Sequence, residues 1–207
     1  MSLSRTGRAC RIGAVSVAAA AVAGSYVAVR TGLARTVDPV ASRLLAARGP
    51  RALDRTVAIV SDLGSSFAVA GVGSVLAATG RRRAALRVAG TGALAFGLAQ
   101  AVKPALPRAR PYESGSAARL VSPPAGGAWP SGHAAVAAGM ARALGLAGGP
   151  PIGAIAAGGA AVVGASRVTV GVHHLTDVVA GLGIGVLSAE AVDVLLGGHR
   201  RKAPTRR

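Results

Sequence analysis

The stretch PSGHAAVAAGMARALGLAGGPPIGAIAAGGAAVVGASRVTVGVHHLTD, residues 130–177, decides how this chain of 207 residues folds. It opens on Pro130-Ser131-Gly132-His133, a helix-start string: Ser131 is a natural N-cap, and Gly132 lets another group approach the backbone. Two apolar runs follow, 132–146 and 152–166, parted by Gly148-Gly149-Pro150-Pro151, which reads as a tight turn. The second run ends at Ser166-Arg167, with His173 and Asp177 beyond it. Two helices take a chain away and bring it back. The polar strings at 130–133 and 166–177 are therefore expected at one end of a helical bundle, whereas a single helix between them would split them across it.

Working outward, apolar runs also occupy 12–29, 57–79, 84–102 and 175–196, for six in all. A hydrophobic content of 51% and a mean hydropathy of +0.50 exceed what a soluble domain of this size usually carries. About 20 apolar residues make one crossing of a bilayer. The expected fold class is all-α: a single domain over 1–207 built as a polytopic membrane bundle of about six helices. Its residues are mostly Ala, Gly and Val, which let helices approach closely in lipid, and only 2% are aromatic, so interfacial belts are sparse. Residues 30–55 alternate Leu33, Val37, Val40, Leu44 and Leu45 with Arg35, Arg43 and Arg48, the pattern of a helix along the membrane surface, with Pro50 ending it. The first run carries Arg5, Arg8 and Arg11 ahead of it and Ala21-Val22-Ala23 within it, which resembles a leader cleavage site; it is read as a retained helix.

The net charge of +17 does not indicate nucleic acid, because the basic residues fall in short clusters between apolar runs instead of along one polar face. Anionic lipid headgroups and a phosphorylated substrate suit them better. Residues 198–207 form a basic tail fit to hold anionic lipid at a cytoplasmic face. Eleven basic residues lie in the termini and the 81–83 loop, and eleven in the opposite loops, so the charge rule for orientation is tied. Setting aside Lys103, Arg110 and Arg167, whose presence chemistry explains, leaves eleven against eight. The expectation is a bacterial-type plasma-membrane protein with its site facing outward and both termini in the cytoplasm. Cys10 is the sole cysteine and forms no internal disulfide.

Three strings together hold the parts of a phosphate-cleaving site. Lys103, Arg110 and Arg167 supply cations, and a guanidinium fork matches phosphate oxygens. The helix opened by Ser131 and Gly132 directs free N–H groups at an anion. His173 and Asp177 stand four apart at the start of the last helix, on one side of it. A carboxylate there holds one imidazole nitrogen as N–H and leaves the other bare to attack phosphorus. His133 then protonates the departing oxygen. His173 and His174 are adjacent, point apart, and have no Cys or Glu to complete a ligand set, so no metal and no cofactor are expected. His174 reads as a neighbour. Asp62, Arg87, Arg142, Glu190 and Asp193 are assigned to helix-end snorkelling or inter-helix pairing, with Asp62 expected deepest.

Lys103-x6-Arg110-Pro111, Pro130-Ser131-Gly132-His133 and Ser166-Arg167-x5-His173-x3-Asp177 resemble the three-part signature of the type 2 phosphatidic acid phosphatase (PAP2) superfamily, at eleven specified positions in order. The resemblance spans 103–177. It implies a PAP2/haloperoxidase-like core and a metal-independent phosphatase in which His173 is the nucleophile, Asp177 its partner and His133 the acid. Lys103, Arg110, Ser131, Gly132, His133 and Arg167 would bind phosphate. The integral-membrane branch implies six helices, with the strings on the outer side.

Expected partners are membrane lipids and a lipid phosphate: a polyprenyl phosphate or diphosphate, phosphatidylglycerol phosphate, phosphatidate, or a polyprenyl phosphoribose phosphate. Two other classes compete. Vanadium haloperoxidases share the constellation, with vanadate in place of phosphate, but are soluble and larger. A catalytically silent protein that only binds anionic lipid would have no need of His133, His173 and Asp177.

Overall fold

The structure is a computed structural model describing residues 5–45 and 51–197, and every long element in it is a helix. In chain order these are α1 (Arg5–Thr31), α2 (Ala34–Leu45), α3 (Arg51–Ser61), α4 (Ser66–Ala78), α5 (Arg82–Val102), α6 (Gly132–Gly148), α7 (Pro150–Thr169) and α8 (Leu175–Leu195). Short 3-10 turns at Asp62–Gly64 and Lys103–Ala105 follow α3 and α5. The basic tail from residue 198 and the stop at Pro50 lie outside the described residues.

Helix α6 forms the centre, packed against α5, α7 and α8, while α1 lies along α8. The α6–α8 contact is close because α8 presents glycines to it. A Cβ added at Gly181 would run into the Ser131 carbonyl oxygen, and one at Gly185 into that of Ala135. Van der Waals contact between small residues is what holds helices together in lipid. Gly181→Ala is therefore expected to lower stability by about 1–3 kcal/mol, as overpacking does. Thermal unfolding in detergent would show it, and an unchanged midpoint would mean the helices can part without cost.

The outer surface is apolar. Phe67 is 87% exposed, Leu195 81%, Ile155 78% and Val17 71%. Side chains of this kind, exposed on α1, α4, α7 and α8, fit a lipid surrounding. Among the described residues, four helices are long and apolar enough to cross a membrane: α1, α5, α7 and α8. A fifth crossing arises if α3 and α4 act together across their 63° bend. Helix α6 has 17 residues, about 25 Å at 1.5 Å per residue, somewhat short of a ~30 Å hydrocarbon core. All six apolar runs thus form helix, but a count of six crossings does not follow from their lengths.

Three local expectations change. The run 57–79 is two helices, broken where Ser61-Asp62-Leu63-Gly64-Ser65 interrupts it and Ser65 caps α4 by accepting from the Ala68 N–H at 3.4 Å. Asp62, expected deepest, is exposed at that break. Helix α2 turns Val37, Val40 and Leu44 outward and buries Ala34, Asp38 and Ala41 against α7 and α8. Its buried stripe is small and acidic, a face that apolar periodicity does not reveal.

At the end away from the 130–133 string, charge is paired between helices. Arg11 of α1 meets Glu190 at 2.6 Å and Asp193 at 2.9 Å, both on α8; Arg87 of α5 meets Asp193 at 2.6 Å; Arg142 of α6 meets Glu190. Of the two expectations for Arg87, Arg142, Glu190 and Asp193, helix-end snorkelling or inter-helix pairing, these contacts are the second.

Candidate active site

The α6–α7 hairpin returns the chain to the end it left, so the start of α6, the last turn of α7 and the start of α8 lie together with the 103–131 segment. Ser131 caps α6, its hydroxyl accepting from the Ala134 N–H at 3.4 Å, and its own N–H donates to the Asp177 carbonyl at 3.0 Å. This joins the first string to the third. Trp129 anchors the approach: its Nε1 donates to Ser25 Oγ of α1 at 2.9 Å, and Ser25 donates to the Thr176 carbonyl at 2.6 Å. Between α7 and α8 the chain turns through Gly171 at φ +74°, where a Cβ would strike the Ala118 carbonyl oxygen. Glycine meets both demands at no steric cost.

The His173 ring is 2% exposed. Its Nδ1 faces Asp177 Oδ2 at 3.7 Å, an ion-pair separation longer than a hydrogen bond, and its Nε2 lies 3.4 Å from Arg110 Nη1. One nitrogen thus looks toward a carboxylate and the other into a cationic region. Burial pushes the His173 pKa down to about 4; Asp177 pulls it upward, and the charges of Arg167 and Arg110 add to the lowering. The ring is neutral at pH 7. His133, at the first turn of α6, is half-buried; burial pushes its pKa down to about 3, and the charges of Arg167, His173 and Arg110 add to the lowering. Its role as an acid therefore requires the negative charge of a bound phosphate beside it to raise that value.

The cations are held by neutral groups. Arg110 donates from Nη1 to the Val172 carbonyl at 2.8 Å and from Nη2 to those of Ala125, Gly126 and Gly127 at 3.0–3.2 Å. Lys103 Nζ donates to the carbonyls of Gly127 at 2.6 Å and Pro130 at 3.2 Å. Arg167 donates from Nη1 to Ser61 Oγ at 2.5 Å, and its buried Nε has no partner. Arg110 and Arg167 are 1% and 2% exposed. Among the described residues, no carboxylate lies within ion-pair distance of Lys103, Arg110 or Arg167, although Arg11, Arg87, Arg108 and Arg142 each have one. A buried cation without a counter-charge costs several kcal/mol. Two such cations, Arg110 and Arg167, act on His173, and half-buried Lys103 lies at the same end of the bundle, an arrangement that suits an anion.

All eight residues expected at the site, Lys103, Arg110, Ser131, Gly132, His133, Arg167, His173 and Asp177, lie at this end of the bundle. Four contributors were not singled out. Ser61 holds Arg167, and Gly64 is pressed so close to the His133 carbonyl that a Cβ would lie 2.5 Å from it. The polar string 61–65 inside an apolar run was their signal. Arg108 donates to Asp177 and Asp38 holds Arg108; a lone acid in an amphipathic stretch offers no pattern to read.

An all-helical bundle with helices of membrane-crossing length and a cationic cluster at one end defines a class of helical membrane protein. The PAP2 superfamily family model matches residues 84–196, more than half of the chain, and the chain belongs to that superfamily. Two solved structures share its fold. LpxE of Aquifex aeolicus is 25% identical with a TM-score of 0.66, the match covering 73% of this chain and 91% of that one. The first transmembrane PAP2-type phosphatidylglycerolphosphate phosphatase from Bacillus subtilis is 24% identical with a TM-score of 0.73, covering 93% of this chain and 98% of that one. No curated protein matches the chain.

Proposed function

We propose that the chain is a metal-independent lipid phosphate phosphatase working through a phosphohistidine. The observation that carries this reading is the pair of buried arginines, Arg110 and Arg167, with no carboxylate at ion-pair distance among the described residues, Arg110 Nη1 lying 3.4 Å from His173 Nε2 and half-buried Lys103 at the same end of the bundle. Lys103, Arg110 and Arg167, with the α6 N-terminus at Ser131 and Gly132, neutralise the phosphoryl oxygens. His173 Nε2 attacks phosphorus as the P–O bond to the leaving group breaks, and His133 gives that oxygen its proton. Asp177 steadies the Nδ1 side. Water then attacks the phosphohistidine, His133 takes a proton from it, the P–N bond breaks, and inorganic phosphate leaves.

The apolar exterior supports a substrate whose tail stays in lipid while its headgroup reaches His173. One structural neighbour is named a phosphatidylglycerolphosphate phosphatase, which supports a lipid phosphate as substrate; the candidates are polyprenyl phosphates or diphosphates, phosphatidylglycerol phosphate, phosphatidate and polyprenyl phosphoribose phosphate. The charge distribution supports a site on the outer face, with the termini in the cytoplasm. The experiment is phosphate release from a panel of these lipids in chelator. Release that needs added magnesium would overturn the metal-free mechanism, and bromide oxidation in vanadate without phosphate release would replace it with the haloperoxidase reading.

The pH profile follows from His173. A neutral ring is the nucleophile, and with its pKa held down to about 4, chiefly by burial, the ring stays neutral well below the ordinary histidine range. The acid limb of kcat/KM, which reports groups of the free enzyme, should fall as pH drops through about 4. A limb near 6.5 would place the nucleophile elsewhere or the ring in water.

A further inference from the structure

Asp177 is fully buried, and both of its oxygens are committed to groups other than His173. Oδ1 accepts from Arg108 Nη1 at 2.5 Å and Oδ2 from the His174 N–H at 2.8 Å, which leaves His173 Nδ1 at 3.7 Å. Arg108 is held in turn. Its Nη2 donates to Asp38 Oδ2, and its Nη1 also donates to Thr176 Oγ1 at 2.7 Å. Asp38, 3% exposed on α2, accepts at Oδ1 from the Thr176 N–H at 3.0 Å and at Oδ2 from the Thr176 hydroxyl at 3.0 Å. One guanidinium therefore bridges two buried carboxylates, and the second carboxylate ties down the first turn of α8. Asp38 lies outside the region that the family model matches.

We propose that Asp38 and Arg108 are a positioning pair: Arg108, clamped by Asp38, fixes the Asp177 carboxylate against the Nδ1 side of His173. The proposal rests on His173 being the nucleophile, as above. Neither residue needs to touch phosphate, and Arg108 differs from Lys103, Arg110 and Arg167 in having its charge matched inside the fold. Its second effect is electrostatic. The charged and titratable groups acting on His173 are Asp177 from α8, Arg167 from α7, His133 from α6 and Arg110 from the loop. Only Asp177 favours protonation of the ring, and Arg108 offsets that pull. A carboxylate left to itself would close onto Nδ1 and favour the imidazolium, which cannot attack.

The test uses the full chain in detergent with a lipid phosphate, comparing wild type, Arg108→Met, Asp38→Asn, the double variant and Arg108→Lys. Partners that orient an active group through another residue cost about 10–100-fold when removed. Arg108→Met should lower kcat by about that much with KM changed less than about twofold. Asp38→Asn should cost less, the double variant should fall no further than Arg108→Met, and Arg108→Lys should recover part of the loss by keeping the charge. A second readout needs no turnover: the His173 ring titrated by histidine-labelled NMR. Its pKa should rise in Arg108→Met, where Asp177 acts unopposed, and fall in Asp38→Asn, where the Arg108 charge is left uncompensated.

Additive losses, a raised KM at unchanged kcat, or a His173 ring that titrates alike in all variants would overturn the pair. Wild type without phosphatase activity, or His173→Ala retaining it, would overturn the functional reading instead, and the NMR shifts would still decide the pair.

Discussion

His173→Ala is expected to lower lipid phosphate turnover by about four orders of magnitude or more, the scale seen when a nucleophile is removed from a group that acts as a unit. The other histidine cannot replace it. His133 sits on α6, whereas Nε2 of His173 is the nitrogen that looks into the cationic region from the side opposite Asp177. KM should change little, because the cations that bind the phosphoryl group remain. Substrate labelled in the transferable phosphate, followed by a rapid quench at alkaline pH, should leave label on wild type and none on His173→Ala. His133→Ala should behave differently. With a leaving group that needs no proton, the phosphohistidine still forms but lasts longer, since its hydrolysis has lost the base. Label retained on His173→Ala would remove this residue from the mechanism.

Arg167→Met is expected to cost about three orders of magnitude or more in kcat, as loss of a transition-state arginine does, and yet to leave the fold as stable as before or more so. The reason is its surroundings. Arg167 is buried with Arg110 as a like-charged neighbour and a serine hydroxyl for a partner, and the one carboxylate acting on it, exposed Asp62, is beyond ion-pair distance and acts more weakly than Arg110. An apolar side chain of similar length relieves an unpaired charge at the cost of one hydrogen bond, about 1 kcal/mol. Arg87→Met is the control. It is equally buried but paired with Asp193 at 2.6 Å, and breaking a buried pair costs about 3–5 kcal/mol. Thermal unfolding of the two variants should therefore move apart: Arg87→Met melts early and Arg167→Met does not. If both melt early, Arg167 is a structural cation and the argument from unpaired charge fails.

That contrast shows how much of the molecule could be read from the chain. Sequence alone distinguished the helical bundle from other folds, because two apolar runs around Gly148-Gly149-Pro150-Pro151 permit one topology that brings residues 130–133 and 166–177 to the same end. It also marked Lys103, Arg110 and Arg167 by their place in a fixed spacing, without showing that they differ physically from Arg87 or Arg142. The helix break at 61–65 is visible in the chain as polarity inside an apolar run, but an apolar average over twenty residues hides a five-residue interruption.

What the residues determined by themselves is local: helix starts, turns, apolar faces, and the spacing that sets His173 and Asp177 on one side of a helix. Tertiary structure alone decided which arginines have counter-charges, that Asp38 of α2 reaches Arg108, and that Asp177 is shared among Arg108, the His174 N–H and His173. Hydrophobic periodicity records which face of a helix is buried, but a charge acquires its meaning from whatever folds opposite it, and for Arg87 that partner, Asp193, lies 106 residues away.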